Sequence, residues 1–159
     1  MKIVINACFG GFSLSRAAVK RYAELQGRPC YFFGTSFGKD ATRYIPLQDS
    51  EKTPVRDLFF HAFDIPNPNE LLSSQDQWHN LSIEERTISN ALYTQHAVDN
   101  RPSVRHDPLL IQIVEELGSE IASGGCAELK IIEIPDGTDY VIEEYDGLET
   151  IAEAHQTWR

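Results

Sequence analysis

The junction between the first apolar run and the first helical pattern constrains the fold most strongly. Lys2–Ala7 is a short run rich in β-branched residues, which is typical of a buried strand. Gly10-Gly11 follows, and Ser13 and Ser15 both stand where a helix N-cap belongs. A helical pattern of apolar residues comes next. The chain therefore predicts a strand, a glycine turn and a helix in its opening segment.

The middle of the chain is less regular than its ends. Cys30–Phe33 predicts a second strand, and the opening then fits either a βαβ unit or the start of an α+β fold. Prolines interrupt residues 35–104. We therefore predict a single domain over residues 1–159, with a core of residues 1–34 and 105–159 and an elaboration or flap over residues 35–104.

Two later helices and a hairpin carry local signals. Ser82–Glu85 is a capping box, and Asp107-Pro108 supplies an N-cap and a favourable first helical residue. Ala127–Ile134 and Tyr140–Tyr145 predict a C-terminal β-hairpin, and the apolar spacing of Leu148–Trp158 predicts a final helix. The expected fold is α/β or α+β, with a small mixed sheet built from the first two strands and the hairpin.

Charge is distributed unevenly along the chain. The net charge of −10 divides into +5 over residues 1–43, −4 over residues 44–106 and −11 over residues 107–159. The acidic last third should repel nucleic acid, which argues against general nucleic-acid binding. The basic first third can attract a small anion, or the two ends of the chain can pair with each other.

Cysteine usage and hydropathy indicate the compartment. Cys8, Cys30 and Cys126 are odd in number, scattered and without a Cys-x-x-Cys spacing, which argues against a disulfide framework and a zinc site. No apolar run approaches the roughly 18 residues of a membrane span, and the first one is too short for a signal peptide. We expect a cytoplasmic protein without membrane association, metal or cofactor; an oligomer is possible.

Three stretches, in this order, resemble a group of short phage and prophage proteins. They are Ile5–Ser15 (INACFGGFSLS), Arg105–Gly118 (RHDPLLIQIVEELG), and Ala127–Pro135 continuing to YDG and HQTW near the C-terminus. The group has no assigned activity, so the resemblance implies no catalytic residue. It implies a bacterial or phage-infected cytoplasm, and it favours an accessory role against host machinery, such as counter-defence.

The glycine turn is the first candidate ligand site. A glycine-rich turn before a helix offers backbone N–H groups and a positive helix end, which favour a phosphate or carboxylate. The candidate anion-binding residues are Gly10, Gly11, Ser13, Ser15, Arg16, Arg105 and His106. The alternative is that the glycines only allow close packing, because the motif is neither Gly-x-Gly-x-x-Gly nor a P-loop.

Two side chains are weak candidates for catalysis. Cys8 beside a helix start can act as a nucleophile when its pKa is lowered, and the alternative is a small buried residue at a strand end. His106 can move a proton, and the alternative is a solvated loop residue. No Gly-x-Ser-x-Gly motif is present. Whether the protein is an enzyme stays open, with a non-catalytic role favoured.

The acidic C-terminal third is the candidate protein-interaction surface. Its central residues are Glu143, Glu144, Asp146 and Glu149. This surface can mimic nucleic acid and occupy a basic groove of a host protein, or it is an ordinary solvated face. Three hypotheses follow: an accessory protein that sequesters a small anionic, nucleotide-like ligand, an inhibitor of a host protein, and a small enzyme acting on nucleotides or nucleosides.

Overall fold

The strand and helix predicted at the start of the chain are both present in the computed structural model. The structure describes residues 1–35, 44–47, 60–71 and 80–154. Strand β1 spans Lys2–Asn6 and helix α1 spans Arg16–Leu25. Ser15 caps α1, since its hydroxyl oxygen accepts a hydrogen bond from the N–H of Ala18 at 3.1 Å. One of the two predicted cap residues is thereby confirmed.

The other elements follow in chain order. They are β2 (Tyr31–Thr35), β3 (Tyr44–Pro46), β4 (His61–Phe63), α2 (Pro68–Leu71), α3 (Ile83–His96), α4 (Pro108–Ala122), β5 (Leu129–Glu133), β6 (Tyr140–Tyr145) and β7 (Leu148–Glu153). Helices combined with small antiparallel sheets make this an α+β fold, one of the two predicted classes.

The predicted helix starts are confirmed. The hydroxyl of Ser82 accepts from the N–H of Glu85, whose carboxylate in turn accepts from the N–H of Ser82, so the capping box before α3 is complete. The carboxylate of Asp107 accepts from the N–H of Leu109 at 3.0 Å ahead of α4. Helix α4 is interrupted at Gly118, where φ is 74°.

One compact unit consists of residues 1–22 and 100–159. In it β1 pairs antiparallel with β5, with Val4 opposite Ile131, and α4 packs on both strands. The N–H of Val4 also donates to the carbonyl of Arg105 at 2.9 Å, which holds the segment before α4 against β1. The fully buried apolar residues here include Ile3, Val4, Leu14, Leu110, Ile113 and Leu129.

A second compact unit consists of residues 23–99. Its sheet has the order β3-β2-β4, with both pairs antiparallel, and Phe33 and Phe63 form the centre of its core. The guanidinium of Arg28 donates a hydrogen bond to Oδ2 of Asp64 at 2.8 Å, and Nδ1 of His96 lies 2.8 Å from Oδ1 of the same carboxylate. Burial raises the pKa of Asp64, but these two partners outweigh it and hold the pKa below its usual value.

The C-terminal hairpin uses different strands from those predicted. Strand β6 pairs with β7, with Tyr145 opposite Leu148, rather than with β5. Asp146 and Gly147 join the strands with φ of 51° and 86°, as a type I′ turn requires. The predicted final helix is wrong over Leu148–Glu153, which form β7, because the tight Asp-Gly turn sends the chain straight back along β6. The rest of that predicted helix, residues 155–158, lies outside the described residues.

The predicted mixed sheet is also corrected. Strand β1 pairs with β5 and strand β2 with β3 and β4, so the first two strands do not share a sheet. Every pair among the described strands is antiparallel. An antiparallel neighbour requires no crossover helix, and the βαβ interpretation of the opening is therefore wrong.

Candidate functional site

The Gly-Gly loop, defined as residues 8–13, is a packing surface for two other turns. The N–H of Gly10 donates to the carbonyl of Asp146 at 3.3 Å, in the turn between β6 and β7. A Cβ at Gly10 would overlap the carbonyl oxygen of Cys126, and one at Gly147 would lie 2.7 Å from the nitrogen of Gly10. The glycines therefore allow backbone to meet backbone without side chains between them.

The two serines of the predicted anion site make hydrogen bonds within the protein. The hydroxyl of Ser15 donates to the carbonyl of Ile121 at 2.6 Å while it caps α1. Ser13 packs against Gly124 and accepts a hydrogen bond from its N–H. The N–H of Gly11 makes no hydrogen bond within the described part of the chain. Anion binding at this loop stays a prediction.

Asn6 links the Gly-Gly loop to β5 and to the turn between β6 and β7 by hydrogen bonds that its sequence context does not predict. Its side chain is fully buried, its Nδ2 donates to the carbonyls of Cys8 at 2.7 Å and Gly147 at 2.6 Å, and its Oδ1 accepts from the N–H of Glu128. Its own N–H donates to Glu149 at 2.8 Å. Such a buried amide with all these groups paired fixes the relative positions of β1, β5 and the hairpin turn.

Arg105 and Glu149 form a buried ion pair. The guanidinium lies 3.0 Å and 3.3 Å from the two carboxylate oxygens, and the side chains are only 15% and 7% exposed. Arg105 also stacks on the ring of Phe12, 3.4 Å from its centroid. The structure thus pairs a predicted anion-binding residue with a predicted interaction residue, and Glu149 does not reach the outer surface of the hairpin.

The two weak catalytic candidates do not come together. The half-buried thiol of Cys8 lies 3.5 Å from Oδ1 of Asn6 and 3.4 Å from the carbonyl of Cys126. His106 is exposed, and its Nδ1 lies 2.7 Å from the hydroxyl of Tyr140. Within the described residues no histidine or carboxylate is hydrogen-bonded to the Cys8 thiol.

The other three predicted interaction residues are exposed on the hairpin. Glu143 and Glu144 lie on β6, and Asp146 lies in the turn that follows. Oε1 of Glu144 accepts from the N–H of Gly147 at 2.7 Å. Two large aromatic side chains accompany them: Tyr145 is 79% exposed and Phe9 is 65% exposed. Their backbones adjoin, because residues 10 and 146 share the hydrogen bond between the two turns.

Across residues 1–35, 44–47, 60–71 and 80–154, no group of three or more histidine, cysteine or acidic side chains is arranged to hold a metal ion. No helix in the same residues is long and apolar enough to cross a membrane. Comparison with models of known protein families, with curated proteins and with solved structures finds no match to this chain.

Proposed function

We propose that this protein is a phage-type accessory protein that binds a basic host protein through its acidic hairpin, without catalysis. The observation that carries the proposal is the exposure of Tyr145 with Glu143 on one face of β6, of Glu144 on the other face and of Asp146 in the turn. Aromatic side chains are enriched in protein interfaces and contribute much of their binding energy. We call this set of four residues the acidic hairpin surface.

The packing of the Gly-Gly loop supports the same interpretation. The loop holds the turn of the hairpin through Gly10, and the buried Arg105–Glu149 pair anchors β7 from the inside. Both features hold the acidic hairpin surface in one position, and pre-organisation lowers the entropic cost of binding. Phe9, which is exposed on the same loop, precedes the residue that makes the hydrogen bond to this turn.

Charge supports a basic partner. Residues 107–159 carry a net charge of −11, and complementary charge speeds association and excludes acidic partners. The resemblance to phage and prophage proteins favours a partner from the bacterial host. Sequestration of a nucleotide-like ligand is the competing hypothesis, and turnover of such a ligand is a third.

Site-specific photo-crosslinking tests this proposal. A photoreactive phenylalanine derivative replaces Tyr145, with Glu120 on α4 as the matched exposed control position. In lysate of a bacterial host, we expect a discrete, salt-sensitive adduct with one basic protein from position 145 and none from position 120. The adduct should be lost when Glu143→Gln and Glu144→Gln are added, because the opposite charges are removed.

Neutralising an acidic residue outside the hairpin provides the control for the changes at Glu143 and Glu144. Glu128→Gln alters an exposed acidic residue outside the hairpin and should leave the adduct intact. An adduct that still forms after Glu143→Gln and Glu144→Gln, or that forms equally from positions 145 and 120, would contradict the proposal.

A further inference from the structure

Among the residues that the structure describes, strand β6 pairs with β7 along one edge and with no strand along the other. The two-residue turn makes the odd-numbered residues of β6 exchange hydrogen bonds with β7, and the bond from Ala154 N–H to the carbonyl of Asp139 continues this pattern. Ile142 and Glu144 therefore direct their backbone N–H and C=O groups away from β7. Neither of these two N–H groups makes a hydrogen bond within the residues that the structure describes.

The orientation of the hairpin leaves β6 as its outer strand. Strand β7 contacts β1, and the N–H of Asn6 donates to Glu149 on β7. The side chains of Val141, Glu143 and Tyr145 lie on one face of the hairpin, and all three are exposed.

Elsewhere this protein covers a strand edge with a side chain. The amide of Asn69 accepts from the N–H of Tyr44 and donates to its carbonyl, both at 2.9 Å, and so takes the place of a strand next to β3. No such cover on β6 is found in the described part of the chain, and β6 contains neither lysine nor proline. Lysine and proline are usual protections of an edge strand, whereas the charge of the two glutamates on β6 hinders pairing with a strand that is not basic.

Charge decides what can pair with this edge. A second copy of β6 would bring glutamates close to glutamates across the new pair, which is unfavourable at cross-strand distances. A strand that carries lysine or arginine gains an attractive pair instead. The side chain of Glu144 is already engaged with Gly147, whereas Glu143 makes no ion pair among the described residues. Glu143 is thus the carboxylate that a basic side chain would meet.

We propose that β6 binds an extended basic segment of the partner protein by strand addition, an inference that rests on the proposed function. The partner strand exchanges hydrogen bonds with Ile142 and Glu144, as in other β-augmentation complexes. On the outer face it places a lysine or arginine opposite Glu143, flanked by apolar side chains opposite Val141 and Tyr145. Its recognition pattern is therefore apolar–x–basic–x–apolar.

A short synthetic peptide tests this mode of binding. The probe is a capped peptide in which valine, lysine and valine alternate with threonines, so that the threonine N–H groups face β6. N-methylation of the threonines should weaken binding roughly tenfold or more, because it removes the hydrogen bonds to the edge. N-methylation of the valines and the lysine, whose N–H groups face away, should change the affinity by less than about twofold. Titration calorimetry measures both.

Protein variants separate this inference from the proposed function. Glu143→Gln should lower the affinity for the unmodified peptide roughly threefold or more, and Glu128→Gln should leave that affinity unchanged. If Glu143→Gln lowers the affinity for the peptide but threonine N-methylation does not, strand addition is overturned, whereas binding through the acidic hairpin surface is supported. If neither change acts, both proposals are overturned. A peptide that fails to bind at about 1 mM overturns strand addition.

Discussion

Replacing Arg105 by methionine is expected to lower the free energy of unfolding by about 3–5 kcal/mol, as measured by urea denaturation. The substitution leaves the carboxylate of Glu149, only 7% exposed, without its cation, and it removes the stacking on Phe12. The exposed ion pair of Lys2 with Glu115 is the matched comparison. Lys2→Met should leave the unfolding midpoint nearly unchanged, because solvent already screens that pair.

A second substitution isolates the buried charge as the cause. Glu149→Gln in the Arg105→Met background removes the unpaired carboxylate yet keeps an amide oxygen for the N–H of Asn6. We therefore expect the double variant to regain a substantial part of the stability lost by the single one. Equal stability of Arg105→Met and Lys2→Met would show that the buried pair does not anchor β7.

Gly147→Ala is expected to cost about 3 kcal/mol of stability or more. Its Cβ would lie 2.7 Å from the nitrogen of Gly10 and still closer to that of Gly11, and Gly147 has φ of 86°. The turn and the Gly-Gly loop must then move apart, which breaks the hydrogen bond from Gly10 to Asp146. Thermal and urea unfolding measure the loss.

Gly137 supplies the control for the backbone strain. It has a similar φ of 80°, but a Cβ there meets nothing within 4 Å. Gly137→Ala should therefore cost only about 1 kcal/mol, the usual penalty of an alanine at positive φ. Similar losses for both variants would mean that the contact between the two turns contributes little.

The elements that could be predicted are those with local causes. The strand β1 follows from its β-branched run, and α3 and α4 begin where Ser82 and Asp107 satisfy the first N–H groups of each helix. These signals act within a few residues, so they hold whatever the chain does elsewhere. The strand pairings, such as β1 with β5, join distant segments and leave no comparable local signal.

The wrong prediction of a helix over the residues of β7 has a specific origin. Leu148, Ile151 and Ala152 fit a helical spacing, which predicts a helix and conflicts with the Asp146-Gly147 dipeptide before it. Asp-Gly between two β-capable segments is among the strongest local hairpin signals, and it could have predicted β7. Glu149 is acidic yet buried, so polarity concealed the alternation of the strand.

The two glycines of the Gly-Gly loop predict a special backbone position, and the structure confirms it, but the sequence does not show which group approaches them. A glycine that admits a phosphate and one that admits another turn look identical in a sequence. In the structure the approaching groups are the carbonyl of Cys126 and the backbone of Asp146-Gly147. Asn6, which links these turns, is the last residue of β1, and nothing in the sequence around it indicates the hydrogen bonds that its side chain and backbone N–H make.

An NMR titration of the isotopically labelled protein tests most directly whether the hairpin edge is the binding surface. The valine–lysine–threonine peptide is added to one sample, and ATP, as an anionic nucleotide, to another. We predict that the peptide shifts the backbone amide signals of Ile142 and Glu144, and that ATP leaves those of Gly10 and Gly11 in place. ATP-induced shifts at the two glycines, with no peptide effect on β6, would contradict this account.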